Sequence, residues 1–333
     1  MNRFWRLDRH PDGNDFAAAF SLAEEPLRSP ADGEVLVRNR YLSLDAGTRL
    51  WMTSRTDGYQ PPLPLGEAIK GLVLGEVVES RHAAFAAGDL VRGFGTWGDH
   101  SLMRPELSGL ATCERSIADP RQHLGVLGLN ALTAYVGVVE VGAARPGETV
   151  LVSAAAGATG QLAVQIARNM GCRVIGIAGG ADKCRFLVRE LKVAEAIDYK
   201  ASDVERALAA LAPIHVYFDN VGGPLLDAVL PNLAYNGRVA VCGLLATYAS
   251  DSPTQGPRRF DQVLMRRLTI KGFFAPDWLH RSEEINQLLR PWLQQGRITL
   301  HFDMSQGLES VPDAYRKLFT GGNIGKVLVE LQR

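Results

Sequence analysis

The run Val150-Leu151-Val152-Ser153-Ala154-Ala155-Ala156-Gly157-Ala158-Thr159-Gly160, continuing into Gln161-Leu162-Ala163-Val164-Gln165-Ile166-Ala167-Arg168-Asn169-Met170-Gly171, admits few conformations. Val150 to Val152 is the short apolar segment that a buried parallel strand needs. Leu162, Ile166 and Met170 then recur at helical spacing, and Gly171 is placed to cap the helix. Between strand and helix there is almost no side-chain bulk. Gly157 and Gly160 stand where a dinucleotide fold brings backbone close to a pyrophosphate and a helix close to its strand. Ala155 occupies the place of the first glycine in G-x-G-x-x-G. Small residues also occur wherever a helix packs tightly on a sheet, so it is the strand and helix on either side that favour a dinucleotide site.

A chain of 333 residues exceeds one typical core and suggests two domains. Lys plus Arg number 36 and Asp plus Glu 36, a net charge of zero that indicates neither a nucleic-acid surface nor an acidic tail. Cys113, Cys172, Cys184 and Cys242 form no C-x-x-C pair, which disfavours a disulfide framework and a cysteine zinc site. The first residues lack the apolar core of a signal peptide, and the uncharged run Leu124 to Val139 is short for a membrane span and interrupted by glycines. The expectation is a cytoplasmic protein with no membrane partner.

The rhythm of the chain changes near its middle. Before about residue 120, short β-like runs alternate with Pro and Gly turns at Glu34 to Asn39, Val73 to Glu79, Asp89 to Gly93 and Asp99 to Met103, the pattern of a β-rich, barrel-like domain. From Thr149, strands at Thr149 to Val152, Arg173 to Ala178, Ala196 to Asp198, His215 to Asp219, Arg238 to Gly243 and Thr269 to Phe273 alternate with helices at Asp182 to Leu191, Asp203 to Leu211 and Pro224 to Leu233. That alternation is the signature of an α/β Rossmann-type doubly wound parallel sheet. A helix near Val311 to Phe319 and a strand at Lys326 to Glu330 come too late for that sheet and are expected to return to the first domain. The expected division is 1–122, 123–296 and 297–333.

In an open parallel sheet the ligand crevice lies beyond the carboxyl ends of the strands. The second strand ends in Ala178-Gly179-Gly180, with no acid at the tip where an NAD site places one for the ribose hydroxyl, and Lys183 follows with a charge suited to a phosphate. This favours NADP; Asp182 is the alternative ribose ligand, or a helix cap with Lys183 and Arg185 solvated. The fourth strand ends in Asp219-Asn220-Val221-Gly222-Gly223, and the fifth in Cys242-Gly243 with Tyr248 close behind. Asn220 can face the ribose and nicotinamide. Tyr248 either donates a hydrogen bond or proton to substrate or packs its ring under the loop. The seven histidines are scattered and none pairs with Cys or another His at ligand spacing, so no metal site is expected. No nucleophile motif is present.

Taken in order, Tyr41-Leu42-Ser43-Leu44-Asp45, Ala154 to Gly160, Tyr217-Phe218-Asp219-Asn220-Val221-Gly222-Gly223, Cys242-Gly243 with Tyr248, and Gly322-Asn323-Ile324-Gly325-Lys326 give the chain a resemblance to one family. It resembles the zinc-free branch of the medium-chain dehydrogenase/reductase superfamily, which contains prostaglandin, plant double-bond and 2-alkenal reductases. The resemblance implies a GroES-like fold for the β-rich domain. It places the pyrophosphate at Gly157, Ala158, Thr159 and Gly160, and the 2'-phosphate at Lys183 and Tyr199 beside Gly179. It places the ribose and nicotinamide at Asn220, Cys242, Gly243, Tyr248, Phe273, Phe274, Ala275, Asn323 and Gly325. It also implies a homodimer. Two departures concern substrate: Ala46-Gly47-Thr48-Arg49 stands where the branch usually has Pro-Tyr-Met-Arg, and Pro276 where a tyrosine is common.

The resulting expectation is an NADPH-dependent ene-reductase acting on the activated C=C bond of an α,β-unsaturated aldehyde or ketone, with Tyr248 as catalytic donor. The rivals are an NADPH quinone reductase and a non-catalytic NADPH-binding protein.

Overall fold

The computed structural model describes residues 1–58, 60–250 and 254–331. Seven strands come first: β1 (Asn2–Leu7), β2 (Phe20–Glu25), β3 (Val35–Leu44), β4 (Lys70–Ser80), β5 (Leu90–Thr96), β6 (His100–Met103) and β7 (Ala111–Thr112). Six more follow, separated by helices: β8 (Thr149–Val152), β9 (Arg173–Ala178), β10 (Glu195–Asp198), β11 (Ile214–Asp219), β12 (Leu233–Val241) and β13 (Thr269–Gly272). The last two are β14 (Phe302–Gln306) and β15 (Lys326–Glu330). Chain contacts divide these into two compact units. One is formed by Met1–Leu124 with the chain from Phe302 on, the other by Gly125–Tyr248 with the chain up to His301.

The first unit is built on a seven-stranded sheet in the order β14-β15-β3-β4-β5-β7, with β6 paired to β3 and β1-β2 as a separate hairpin. β15 runs antiparallel to β3, Val327 opposite Leu44, so the C-terminal segment completes the sheet begun by the N-terminal one. Side chains reinforce that return. Phe16, Phe20, Trp97 and Tyr315 form one aromatic cluster, with the Phe16 and Tyr315 rings 4.6 Å apart and Trp97 edge-on to Tyr315 at 5.0 Å. Lys326, buried at 1% exposure, places its Nζ 2.6 Å from Asp45 Oδ1, and Ser43 Oγ donates to the other oxygen of the same carboxylate.

The second unit holds a six-stranded sheet in the order β10-β9-β8-β11-β12-β13, every neighbouring pair parallel. All four residues of β8 are buried, which is why the strand reads as an unbroken apolar run. The helix Ala158–Asn169 turns Leu162, Ala163, Val164, Ile166 and Ala167 inward, and Gly171 beyond it takes φ +84°. Two buried glutamines on that helix replace apolar contacts with hydrogen bonds. Gln161 donates to Ala156 O and accepts the His301 N–H, while Gln165 donates to Thr299 O and accepts the Thr299 N–H.

The strands expected at Thr149 to Val152 and Arg173 to Ala178 match β8 and β9 residue for residue. The third helix stops sooner than its expected end at Leu233. It covers Gly223–Val229, tightens to a 3-10 turn at Leu230–Asn232 around Pro231, and Leu233 already pairs with Ile214 as the start of β12. No helix among the described residues is long and apolar enough to cross a membrane.

Glu34, buried just before β3, accepts from Arg28 at 2.8 and 3.2 Å and from the Ala31 N–H at 2.9 Å. The Arg28 hydrogen bonds, helped by the Ala31 N–H, hold its carboxyl down to about 2. A carboxyl lowered on folding adds stability above its unfolded value, about 4.3, and that stability is lost as pH falls toward the folded value. Glu34→Gln is expected to lower stability at neutral pH and to flatten the acid limb below about 4.3, measured as urea midpoints across pH. An unchanged acid limb would remove Glu34 from the account.

Candidate active site

The C-terminal ends of β8, β9, β11 and β12 carry the groups suited to binding and chemistry in the second unit. After β8 the chain turns sharply at Ala154, which adopts φ +46°, a left-handed conformation that costs an alanine roughly 1–2 kcal/mol. The left-handed residue is therefore Ala154, one position before the Ala155 that stands in for the first glycine. Ala155 continues as if in the sheet, its N–H on Ile177 O at 3.0 Å. Gly157 is the N-cap of the helix Ala158–Asn169 and offers no side-chain cap. The N–H groups of Ala158, Thr159 and Gly160 thus have no intrahelical acceptor and no capping oxygen, at the positive end of the helix dipole. Asn130 Nδ2 reaches Thr159 Oγ1 at 3.1 Å beside them.

The two glycines of this turn do different work. A Cβ on Gly160 would stand 2.3 Å from Ala154 O and 2.8 Å from Ala155 Cα, both backbone, so only glycine lets the helix approach its strand. A Cβ on Gly157 would meet only Ala154 O, at 3.2 Å, leaving the approach to the bare N–H groups open. This cradle suits the pyrophosphate of a dinucleotide.

The tips of β11 and β12 are joined through one carboxylate. Asp219, fully buried, accepts four donors on Oδ1: Tyr217 Oη at 2.7 Å, Ser153 Oγ at 3.2 Å, and the Val221 and Gly222 N–H groups at 2.9 Å each. Burial pushes its carboxyl above the ordinary aspartate range against the pull of those donors. Ser153, directly after β8, accepts the Asn220 N–H at 2.9 Å on its hydroxyl and the Asn220 Nδ2 at 2.7 Å on its carbonyl. Asp219 O takes the Cys242 and Gly243 N–H groups, and Asn220 O takes that of Leu245. Asn220, Cys242, Gly243 and Tyr248 are thereby brought into one cluster. The Tyr248 hydroxyl accepts the Leu244 N–H at 3.3 Å and lies close over Gly243, where a Cβ would stand 2.9 Å from it. Burial pushes the Cys242 thiol up to about 12, so no thiolate nucleophile is poised there.

Elsewhere, Phe273 follows β13 and packs edge-on to Phe218, ring centroids 6.3 Å apart, with Phe274 and buried Ala275 behind it. Gly179 ends the β9 tip, and Tyr199, half exposed, lies across it. Lys183 is partly buried in the first turn of the helix Ala181–Arg189, and Asp182, the alternative ribose ligand, is ion-paired with Arg185. Asn323 and Gly325 belong to the first unit, where the Asn323 Nδ2 donates to Gly325 O at 2.9 Å. Sequence reasoning passed over Ser153, Asp219 as a clamp, and Lys200. Among the described residues no group of three or more His, Cys, Asp or Glu side chains comes together in a way that could hold a metal ion.

Fold and strand-tip geometry define a dinucleotide-binding α/β protein. A family model described as the N-terminal domain of oxidoreductase matches residues 3–109, and one described as zinc-binding dehydrogenase matches residues 158–294. The chain is 36% identical to the NADPH-dependent curcumin reductase of Escherichia coli (strain K12), over 99% of this chain and 97% of that protein. It is 36% identical to the NADP(+)-dependent 2-alkenal reductase of Nicotiana tabacum, over 90% and 88%. The crystal structure of CurA in complex with NADPH from Vibrio vulnificus superimposes with a TM-score of 0.93 at 36% identity, covering 99% of each chain. The chain belongs to the zinc-free branch of the medium-chain dehydrogenase/reductase superfamily.

Gly160→Ala is expected to cost about 1–3 kcal/mol of stability, as overpacking against backbone does. Gly157→Ala, meeting a single contact, should cost less; equal losses in chemical denaturation would mean that helix approach is not what selects Gly160.

Proposed function

We propose that the chain is an NADPH-dependent ene-reductase that reduces the activated C=C bond of an α,β-unsaturated aldehyde or ketone. The observation that carries this reading is the 36% identity, over nearly the whole chain, to proteins named as NADPH-dependent curcumin reductase and 2-alkenal reductase. The cofactor fits the residues present: bare N–H groups at Ala158 to Gly160 suit its pyrophosphate, and the tip Ala178–Gly180 carries no acidic side chain of its own to repel its 2'-phosphate. In this reading Gly157, Ala158, Thr159 and Gly160 hold the pyrophosphate, and Gly179, Lys183 and Tyr199 flank the 2'-phosphate. Asn220, Cys242, Gly243, Tyr248, Phe273, Phe274 and Ala275 serve the nicotinamide half.

Bound NADPH supplies the hydride that goes to the β-carbon of the alkene. The chain's own task is then electrostatic. As the carbonyl oxygen gains enolate character it needs a positioned donor. Tyr248 is the candidate, because its hydroxyl lies over Gly243 at the β12 tip, where the Leu244 N–H holds its oxygen at 3.3 Å. Protonation of the α-carbon then completes the reduction. A homodimer is part of this proposal; it is supported by the exposed edge strand β13 and by exposed Phe260, Leu264 and Met265 just before it, and a monomer in sedimentation equilibrium would remove it. The four free cysteines fit a reducing compartment, the cytoplasm, which cell fractionation would check.

A panel of alkenals, enones and quinones tests the reaction. NADPH oxidation should be fastest with the enones and alkenals and should exceed NADH oxidation. Faster quinone turnover would make the chain a quinone reductase, and no turnover at all a binding protein.

Tyr248→Phe should lower the turnover number for an enone by roughly ten- to a thousandfold, while NADPH affinity and melting temperature change little. Full turnover in the variant would take the donor role away from Tyr248.

A further inference from the structure

The tip of β9 is covered by the segment that follows β10. A Cβ on Gly179 would stand 2.8 Å from Cε1 of the Tyr199 ring and 3.0 Å from Cε of Lys200, so both side chains lie across the glycine. Their backbone is fixed there. Asp198, the last residue of β10, accepts the Gly180 N–H at 2.8 Å and the Lys200 N–H at 3.0 Å on one carboxylate oxygen, and the Tyr199 N–H donates to Ala178 O at 3.1 Å. These bonds tie the Tyr199-Lys200 turn to the strand tip from both sides.

The charges around this tip are then distributed unevenly. Asp198 is engaged by two backbone N–H groups, which, with the nearby Lys200 charge, hold its carboxyl below the ordinary range. Asp182 is paired with Arg185. Lys200 is exposed, and its methylene stem is held against Gly179. A lysine stem packed on a surface leaves its ammonium directed by that packing, and the ammonium is a compact charge suited to a phosphate.

We propose that Lys200 is a specificity-determining residue for the 2'-phosphate of the cofactor, acting together with Lys183. This rests on the reading that the site takes NADPH. The Asp198 clamp is the positioning element. Gly179 is glycine because any side chain there would lift Tyr199 and Lys200 away from the tip.

Binding without turnover provides the test. Calorimetric titration with 2',5'-ADP and with 5'-AMP isolates the 2'-phosphate, since the two probes differ only in that group. Lys200→Ala should weaken 2',5'-ADP about ten- to a hundredfold, the range for losing one charged contact, and leave 5'-AMP within about twofold. Lys200→Arg should restore most of the loss, which a merely structural role for the side chain would not produce. Gly179→Ala should lose the discrimination with both lysines still present. If Lys200→Ala keeps the wild-type preference for 2',5'-ADP, the proposal is overturned while the NADPH reading stands. If the wild-type protein itself shows no preference, the cofactor reading falls and this proposal with it.

Discussion

Four donors converge on one oxygen of a carboxylate that has no access to water, and the crevice end of the parallel sheet is organised around that point. Asp219 Oδ1 ties Tyr217 on its own strand, Ser153 at the end of β8, and two N–H groups of the turn that follows β11. A buried carboxylate is costly, and donors to a charged acceptor recover roughly 1.5–3 kcal/mol each. The remaining oxygen, Oδ2, makes no hydrogen bond, in keeping with a carboxyl that burial pushes above its usual range. What the arrangement secures is geometry. Ser153 is held by Asp219, Asn220 is held twice by Ser153, and the carbonyls of Asp219 and Asn220 then receive the β12 tip through Cys242, Gly243 and Leu245. The loop that carries Tyr248 inherits its position from this chain of bonds.

The parts of the fold that were legible in the sequence are those in which one residue type does one job. β8 and β9 are buried on both faces, so their apolar runs have sharp ends, and the helix Ala158–Asn169 shows its inner face by period alone. The start of β12 was not legible. Tyr235-Asn236-Gly237 reads as a turn, and Asn236 does take φ +59°, yet the segment lies within a strand. β1 and β2 were hidden for another reason: they form a separate two-stranded hairpin, with few buried positions to leave an alternating signal.

The candidate site was legible where backbone chemistry dictates composition and opaque where a contact spans the chain. Gly160 announces itself because a Cβ there would meet backbone at 2.3 and 2.8 Å, and Gly157 beside it completes the pattern. Lys200 does not, since Tyr199-Lys200 looks like a solvated turn until Gly179, on the neighbouring strand, is seen beneath it. Ser153 is similar: a serine after an apolar run carries no signal until Asn220 and Asp219 are placed against it.

The departure after Asp45 is best understood through what anchors its two ends. Asp45 is held by Lys326 and Ser43, and the Thr48 N–H returns to Asp45 O at 3.1 Å. Arg49, buried at 1% exposure, donates to Met52 O and Pro11 O. Ala46 and Gly47 therefore replace bulkier residues inside a 3-10 turn, Ala46–Trp51, whose backbone is tied down at both ends. Removing bulk from a pinned turn opens space without loosening the chain, whereas removing it from a free loop would let the loop collapse into the gap. The turn can thus differ in side-chain bulk while the sheet, the aromatic cluster and the return of β15 stay the same.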